Sequence, residues 1–291
     1  MKYYFLILIL FLGTKIANAQ QAEQLKTDAM NAELQEEYTQ AADLFSKAIN
    51  AFKAQQKTDS LSIFGAGQNY LKAKKYAEAI PFLKECTDLN YNMGRSARLL
   101  SNAYSWTKQY KLAEKILMDV AAKVPDEKIE FDKKLAYLYF NSSQYSKSAS
   151  LFNQLLANSP NNKNYMYLYG FSLERIQKFD KALVIFEQMM QLYPQDKRAK
   201  KMQAYTYLKK TETAYNKEVK RYESIKNVTF EDFRETKKRL KNLDGDYEKA
   251  RLLLEKAYKD YPKDKMLINA LYKVYKKQKN TNKMNEMKKL I

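Results

Sequence analysis

The chain has 291 residues, 45% of them hydrophobic, with a formal net charge of +19, no histidine and a single cysteine. That composition excludes disorder of the whole chain, an internal disulfide, imidazole-based catalysis and nearly all nitrogen-ligated metal sites. Only six glycines and five prolines occur, which excludes a turn-rich β fold and predicts long helices.

The first segment, MKYYFLILILFLGTKIANA, sets Lys2 before an apolar run from Tyr3 to Leu12 and ends on Ala17-Asn18-Ala19. This is the layout of a secretory signal cleaved after Ala19, so residues 1–19 are expected to be removed and the protein to be periplasmic or secreted. The apolar run is short for a membrane span. Lys15, an irregularity in the tail of the signal, leaves an uncleaved anchor as the alternative. No cysteine follows the cleavage point, so a lipoprotein is not expected.

From residue 22 onward the pattern repeats. Aromatics stand three residues before a small residue at Tyr38/Ala41, Tyr76/Ala79, Tyr110/Ala113, Tyr145/Ser148, Phe179/Ala182 and Tyr247/Ala250, at gaps of 38, 34, 35, 34 and 68. Four residues after each small residue comes a large apolar one: Phe45, Leu83, Leu117, Phe152, Phe186 and Leu254. Pro125, Pro160, Pro194 and Pro262 hold a fourth column, and Ala29, Gly67, Ser101, Ala136 and Gly170 a fifth, nine positions before the aromatic. Each unit reads as two antiparallel helices. Small residues let the two backbones approach, the large residue wedges into the next unit, and proline marks the passage between units.

Local features follow in chain order. Gly65-Ala66-Gly67 lacks the Lys-Ser/Thr of a phosphate loop and reads as close helix packing. Pro81 falls inside a predicted helix and is expected to remove a backbone hydrogen bond and bend it. Cys86 lies on an apolar helical stripe and is expected to be buried and inert. Trp106 sits at a helix end, either half-packed beside Tyr110 or exposed. In the unit from Lys197 the second-helix columns fall on Thr213, Asn216, Lys220 and Glu223, while the apolar residues Tyr215, Val219, Tyr222 and Ile225 form a rotated stripe. Long helices and irregular stacking are expected over 211–243, with Thr229 and Asp232 as a capping pair.

These columns resemble the tetratricopeptide repeat family, a helix-turn-helix unit of 34 residues. The unit from Lys163 matches best, with Met166, Tyr169, Gly170 and Leu173 followed by Phe179, Ala182, Phe186 and Pro194. The resemblance covers residues 22–291 in about eight units, starting near 22, 60, 94, 129, 163, 197, 231 and 265. It implies an all-α, right-handed α-solenoid and a non-enzymatic binding scaffold without cofactor or metal. The domain organisation expected is a signal (1–19), an array of about five regular units (20–196) and divergent basic units (197–291).

Carried over from the family, the first-helix positions facing the concave groove are Arg95, Arg98, Asn102 and Trp106 in the third unit and Lys133, Tyr137 and Asn141 in the fourth. They are Asn164, Tyr167, Phe171 and Arg175 in the fifth, and Arg198, Lys201 and Tyr205 in the sixth; the same register adds Ser105, Glu130, Phe140, Glu174, Leu208 and Lys209. Aromatics interleaved with arginines imply a groove for a peptide or helix bearing carboxylates. Arg98 and Asn102 resemble half of the family's carboxylate clamp, but Lys134 and Leu168 stand where its other half should be, so chaperone-tail binding is not expected.

Charge gives a second candidate. Residues 20–196 hold 22 basic and 20 acidic residues, whereas 197–291 hold 28 and 13. An export signal argues against nucleic acid, leaving anionic membrane or cell-wall surfaces and acidic proteins as targets, against the plain alternative of solvated lysine faces.

Overall fold

The computed structural model describes residues 20–291, so the expected signal lies outside the described residues. The chain is helical throughout, in the all-α solenoid class that the repeat implied: α1 (20–34), α2 (Tyr38–Ala54), α3 (Ser60–Lys72), α4 (Tyr76–Asp88), α5 (Met93–Trp106), α6 (Tyr110–Ala121), α7 (Lys128–Asn141), α8 (Tyr145–Asn158), α9 (Lys163–Arg175), α10 (Phe179–Leu192), α11 (Lys197–Glu223), α12 (Phe230–Asn242), α13 (Asp244–Asp260), α14 (Lys265–Lys277) and α15 (Thr281–Lys288). The column aromatics Tyr38, Tyr76, Tyr110, Tyr145 and Phe179 are the first residues of α2, α4, α6, α8 and α10.

The chain divides into two compact units, Met1–Leu138 and Tyr139–Ile291, each with cores of its own. In the first, α2 to α6 pack successively as hairpins. Phe45, Ile49, Ile63, Phe64 and Cys86 form one of its cores. In the second, α8 to α11 pack in sequence, then α11 against α13 and α13 against α14. Its cores gather around Phe186 and Met189, and around Leu254 and Leu271. Because α11 packs on α10 and α9 upstream and on α13 downstream, the rise in charge at 197 brings no break in packing.

The repeat columns are the core. Each small residue of the second helices and each large apolar residue four positions on is buried. Phe45 fills the space where a Cβ at Gly65 of the next unit would stand, as a wedge into the neighbour requires. Phe186 and Leu83 do otherwise: they close on Gly170 and Gly67, on the first helices of their own units. The wedge therefore locks the hairpin as well as the stack. The Gly65-Ala66-Gly67 stretch is close packing, as expected.

Two local expectations are refined. The helix α4 runs through Pro81 without interruption. The unit from Lys197 forms no hairpin: α11 is a single helix of 27 residues. Tyr215, Val219 and Tyr222 lie half-buried along it, and Ile225 falls beyond its end. Thr229 and Asp232 make the expected capping box at the start of α12.

A feature with no signature in residue type closes most hairpins. Glu36, Lys74, Lys108, Ser143, Gln177 and Lys279 all adopt the left-handed conformation, with φ between 57° and 61°. The residue after each donates its N–H five residues back, as Lys178 does to Leu173 (2.8 Å) and Gln109 to Tyr104 (2.7 Å). This is a Schellman closure carried out without glycine.

Candidate binding face

In the first unit the first helices are tied together by polar relays. Glu33 on α1 accepts from Lys72 Nζ (2.7 Å) and Gln68 Nε2 (2.8 Å) on α3, and Gln68 accepts in turn from Arg95 on α5 (2.5 Å). Burial pushes the Glu33 carboxyl up, but the bonds donated by Lys72, Asn69 and Gln68 outweigh it and hold the group below its ordinary value. Arg95 also lies 5.1 Å over the Phe64 ring.

One repeat on, Arg98 pairs with Glu127 in the turn before α7 and lies 5.4 Å over the Phe131 ring. Asn102 accepts from Lys134 Nζ at 3.3 Å. Burial, then the nearby Arg98 charge, lowers the Lys134 ammonium below its usual value. Lys133 pairs with Glu130 at 2.6 Å, and Tyr137 is exposed. Trp106 is 66% exposed, and its ring stacks on Tyr76 at 5.2 Å and 6°.

In the second unit the residues from α9 and α11 converge. Arg198 forks onto Asp196 (2.9 and 2.6 Å), reaches Asn164 (3.4 Å) and covers the Tyr167 ring at 4.8 Å. Asp196 also caps α11 through the Arg198 N–H, and these bonds, led by that of the guanidinium, hold its carboxyl down. Tyr167 lies 6.4 Å from Phe171, and Arg175 covers Phe171 at 4.7 Å. Burial pushes the Tyr167 phenol up, against the Lys201 and Arg198 charges. Lys201 bonds Asp264 at 2.9 Å, Tyr205 is half-buried beneath Lys209, and Asn141 is exposed.

The arginines and lysines of the face are thus largely engaged within the chain. Acidic residues one or nearly two repeats away, or within a few positions on the chain, supply the counter-charges expected from a partner. The face offers instead half-exposed rings under cations, with the exposed amides of Asn164, whose Oδ1 accepts from Arg198, and Asn141 at its rim.

Two more residues complete the aromatic strip: Phe140, which the family register also carries onto the groove, and Tyr145, which it does not. Phe140 packs 5.2 Å and Tyr145 6.0 Å from Phe171. Tyr145 is the column aromatic of its unit, so the repeat phase contained the signal. Glu174, which the family register places on the groove, is instead only 4% exposed: its Oε2 lies 3.5 Å from Arg175 Nε but receives no hydrogen bond. Burial pushes this carboxyl up, more than the Arg175 and Lys209 charges pull it down. Among the described residues no three His, Cys, Asp or Glu side chains converge on a metal position, and no helix is long and apolar enough to cross a membrane.

Two tetratricopeptide repeat family models match residues 70–138 and 133–197. No curated protein matches the chain. Among solved structures, a tetratricopeptide repeat protein from Parabacteroides merdae is similar over 88% of this chain and 98% of its own, at 15% identity and a TM-score of 0.57. YrrB, described as a TPR protein with an unusual peptide-binding site, is similar over 65% of this chain and 95% of its own (19% identity, TM-score 0.52). MamA from Desulfovibrio magneticus, from residue 41 to its end, is similar over 60% and 97% (18% identity, TM-score 0.52). At these identities the likeness establishes the fold. Buried columns at a 34-residue period, successive helix hairpins and two matching repeat models identify residues 70–197 as tetratricopeptide repeats, and the solved structures extend the likeness of fold over most of the chain.

Proposed function

We propose that the protein is a non-enzymatic scaffold that holds a protein or peptide partner along the first-helix face of its repeats, in the cell envelope. The observation that carries this reading is the strip Tyr167, Phe171, Arg175 and Arg198, where two half-exposed rings each lie under a guanidinium. Rigid aromatics with arginine are the side chains that dominate binding hot spots. With the cations already paired, the partner is held by ring contact and amide hydrogen bonds rather than by carboxylates alone. YrrB, a fold relative, carries a peptide-binding site, which supports the class of ligand.

The test is site-specific photocrosslinking in the native cell. A photoreactive residue at Phe171 is expected to capture a partner that the same residue at Val184, exposed on the second helix α10, does not. Tyr167→Ala with Arg198→Ala should reduce that capture. Equal capture from both positions would refute the groove. The envelope location rests on the signal expected from residues 1–19 and is checked by fractionation and by whether the mature chain begins at Gln20.

A second reading, docking on an anionic membrane or cell-wall surface through residues 197–291, is favoured by one observation. Val228, Phe230 and Phe233 are exposed, Phe230 by 80%, beside Lys237, Lys238 and Lys241 on α12. Apolar tips beside lysines suit an interfacial contact. Sedimentation with anionic vesicles that collapses with added salt or with Phe230→Ser would support it, and no sedimentation at low salt would end it.

A further inference from the structure

Four lysines in the first half of α11 are matched by carboxylates: Lys197 and Lys200 by Asp260, Lys201 by Asp264, Lys210 by Asp180. Farther along, unmatched lysines gather in one cleft. A cleft of about 670 Å³ between α11, the start of α13 and the end of α14 is lined by Lys209, Lys273, Lys276, Lys277 and Lys279, with Glu212 as its one carboxylate. Glu212 is taken up by Lys209 at 3.4 Å. Among the described residues no carboxylate lies within ion-pair distance of the four other amines.

The cleft has a structured floor. Lys277 Nζ stands 3.4 Å over the Tyr215 ring and 5.6 Å from that of Tyr247, which is buried, so two rings from different helices fix one of the amines in the cleft. Burial, then the charge of Glu212, pushes the Tyr247 phenol up to about 12, so it stays neutral and leaves the cationic field intact. The last turn of α14 presents its carbonyl ends here, which favours cations and explains two lysines at its terminus. It does not explain Lys273 one turn earlier or the approach of Lys209 from α11.

We infer that this cleft is a binding site for a compact polyanion bearing two or more phosphate or carboxylate groups. Four uncompensated charges repel one another in the free protein, and a ligand that carries several oxyanions relieves that repulsion at once. The volume falls in the range of small-molecule sites. The amines are point charges on flexible stems, suited to clustered oxyanions of varied geometry rather than to one planar group. The site stands apart from the Tyr167–Phe171 strip, so either proposal survives failure of the other.

The test is titration calorimetry of the full chain with inorganic tripolyphosphate and, separately, with citrate. Saturable binding of at least one is expected at about 50 mM salt, weakened about tenfold or more at about 300 mM. Whichever binds more tightly identifies phosphate or carboxylate as the group recognised. Lys273→Gln with Lys276→Gln should weaken it about tenfold, whereas Lys256→Gln with Lys259→Gln, which removes the same charge from exposed positions of α13 outside the cleft, should change it by less than about twofold. All four lysines are exposed, so unchanged melting temperatures are expected and confirm folding. No saturable binding at low salt, or equal loss from both pairs, would overturn the site and leave only a diffuse basic field.

Discussion

Gly170 and Phe186 make one joint, and their substitutions should not add. Phe186 is fully buried, and a Cβ built on Gly170 would lie 2.7 Å from its Cε1 and 2.9 Å from its Cζ. The ring occupies the space that any side chain at 170 would need. Removing it by Phe186→Ala should destabilise the fold by about 3–5 kcal/mol, the range for a large aromatic cavity. Gly170→Ala alone sets a helix-propensity gain of about 1 kcal/mol against overpacking of about 1–3 kcal/mol, for a net loss near 1 kcal/mol.

In the Phe186→Ala background the obstruction is gone, the new methyl fills part of the cavity, and the same glycine substitution should stabilise by about 1 kcal/mol. The sign reverses, and the cycle should give a coupling of about 2 kcal/mol. Urea unfolding followed by circular dichroism measures the three variants. Amide exchange over α9 and α10 localises the effect, because repeat arrays can lose strict two-state behaviour. If Gly170→Ala has the same cost in both backgrounds, to within about 0.5 kcal/mol, the joint does not carry the packing and the reasoning fails.

Three further outcomes follow from named groups. Burial, then the charge of Glu85, pushes the Cys86 thiol up to about 12, so at pH 8 iodoacetamide should leave the native chain unmodified and label it fully in denaturant. The Glu174 carboxyl is raised in the folded state, so its contribution is present below the ordinary glutamate value and lost as pH rises through the folded one. Glu174→Gln should therefore raise the urea midpoint at pH 8 and leave a smaller difference near pH 4. At Gln177, φ is 59°, where a side chain costs about 1–2 kcal/mol relative to glycine. Allowing for the looser unfolded chain, Gln177→Gly should stabilise by about 0.5–1 kcal/mol in thermal melts.

The hairpins were legible because their signal lies in apolar and small residues whose only role is packing. Starts near 60, 94, 129, 163 and 265 fall within a residue of α3, α5, α7, α9 and α14. The left-handed turns were not legible, since glutamate, lysine, serine and glutamine are not the residues that such turns favour, and only repetition of the backbone reveals them. The face was half legible. Its aromatics follow from the columns, but counter-ions such as Glu127 for Arg98 and Asp264 for Lys201 depend on which helix ends meet in space. Charge counted along the chain could not separate a matched lysine such as Lys200 from an unmatched one such as Lys276.

The divergence of the C-terminal third traces to a turn rather than to its first helix. Continuing the left-handed column by one period from Gln177 lands on Thr211, and by two on Gly245. Thr211 is β-branched, for which the left-handed region is a steric outlier. It is buried, and its hydroxyl donates back to the Tyr207 carbonyl at 3.1 Å, a bond made within a continuing helix. Upstream of it Ala204 and Leu208 still occupy core positions, so the first-helix pattern is intact. Without the turn, α11 runs about 40 Å, to Glu223. The chain then returns through α12, where Thr236 is the buried residue, and α13 and α14 pack against the extended helix. That return brings the lysines at the end of α14 beside Tyr215, a residue that a regular hairpin would have placed on the second helix. The unmatched cationic cleft is thus a consequence of one lost reversal, and the part of the chain least like its family is where a new ligand chemistry became geometrically possible.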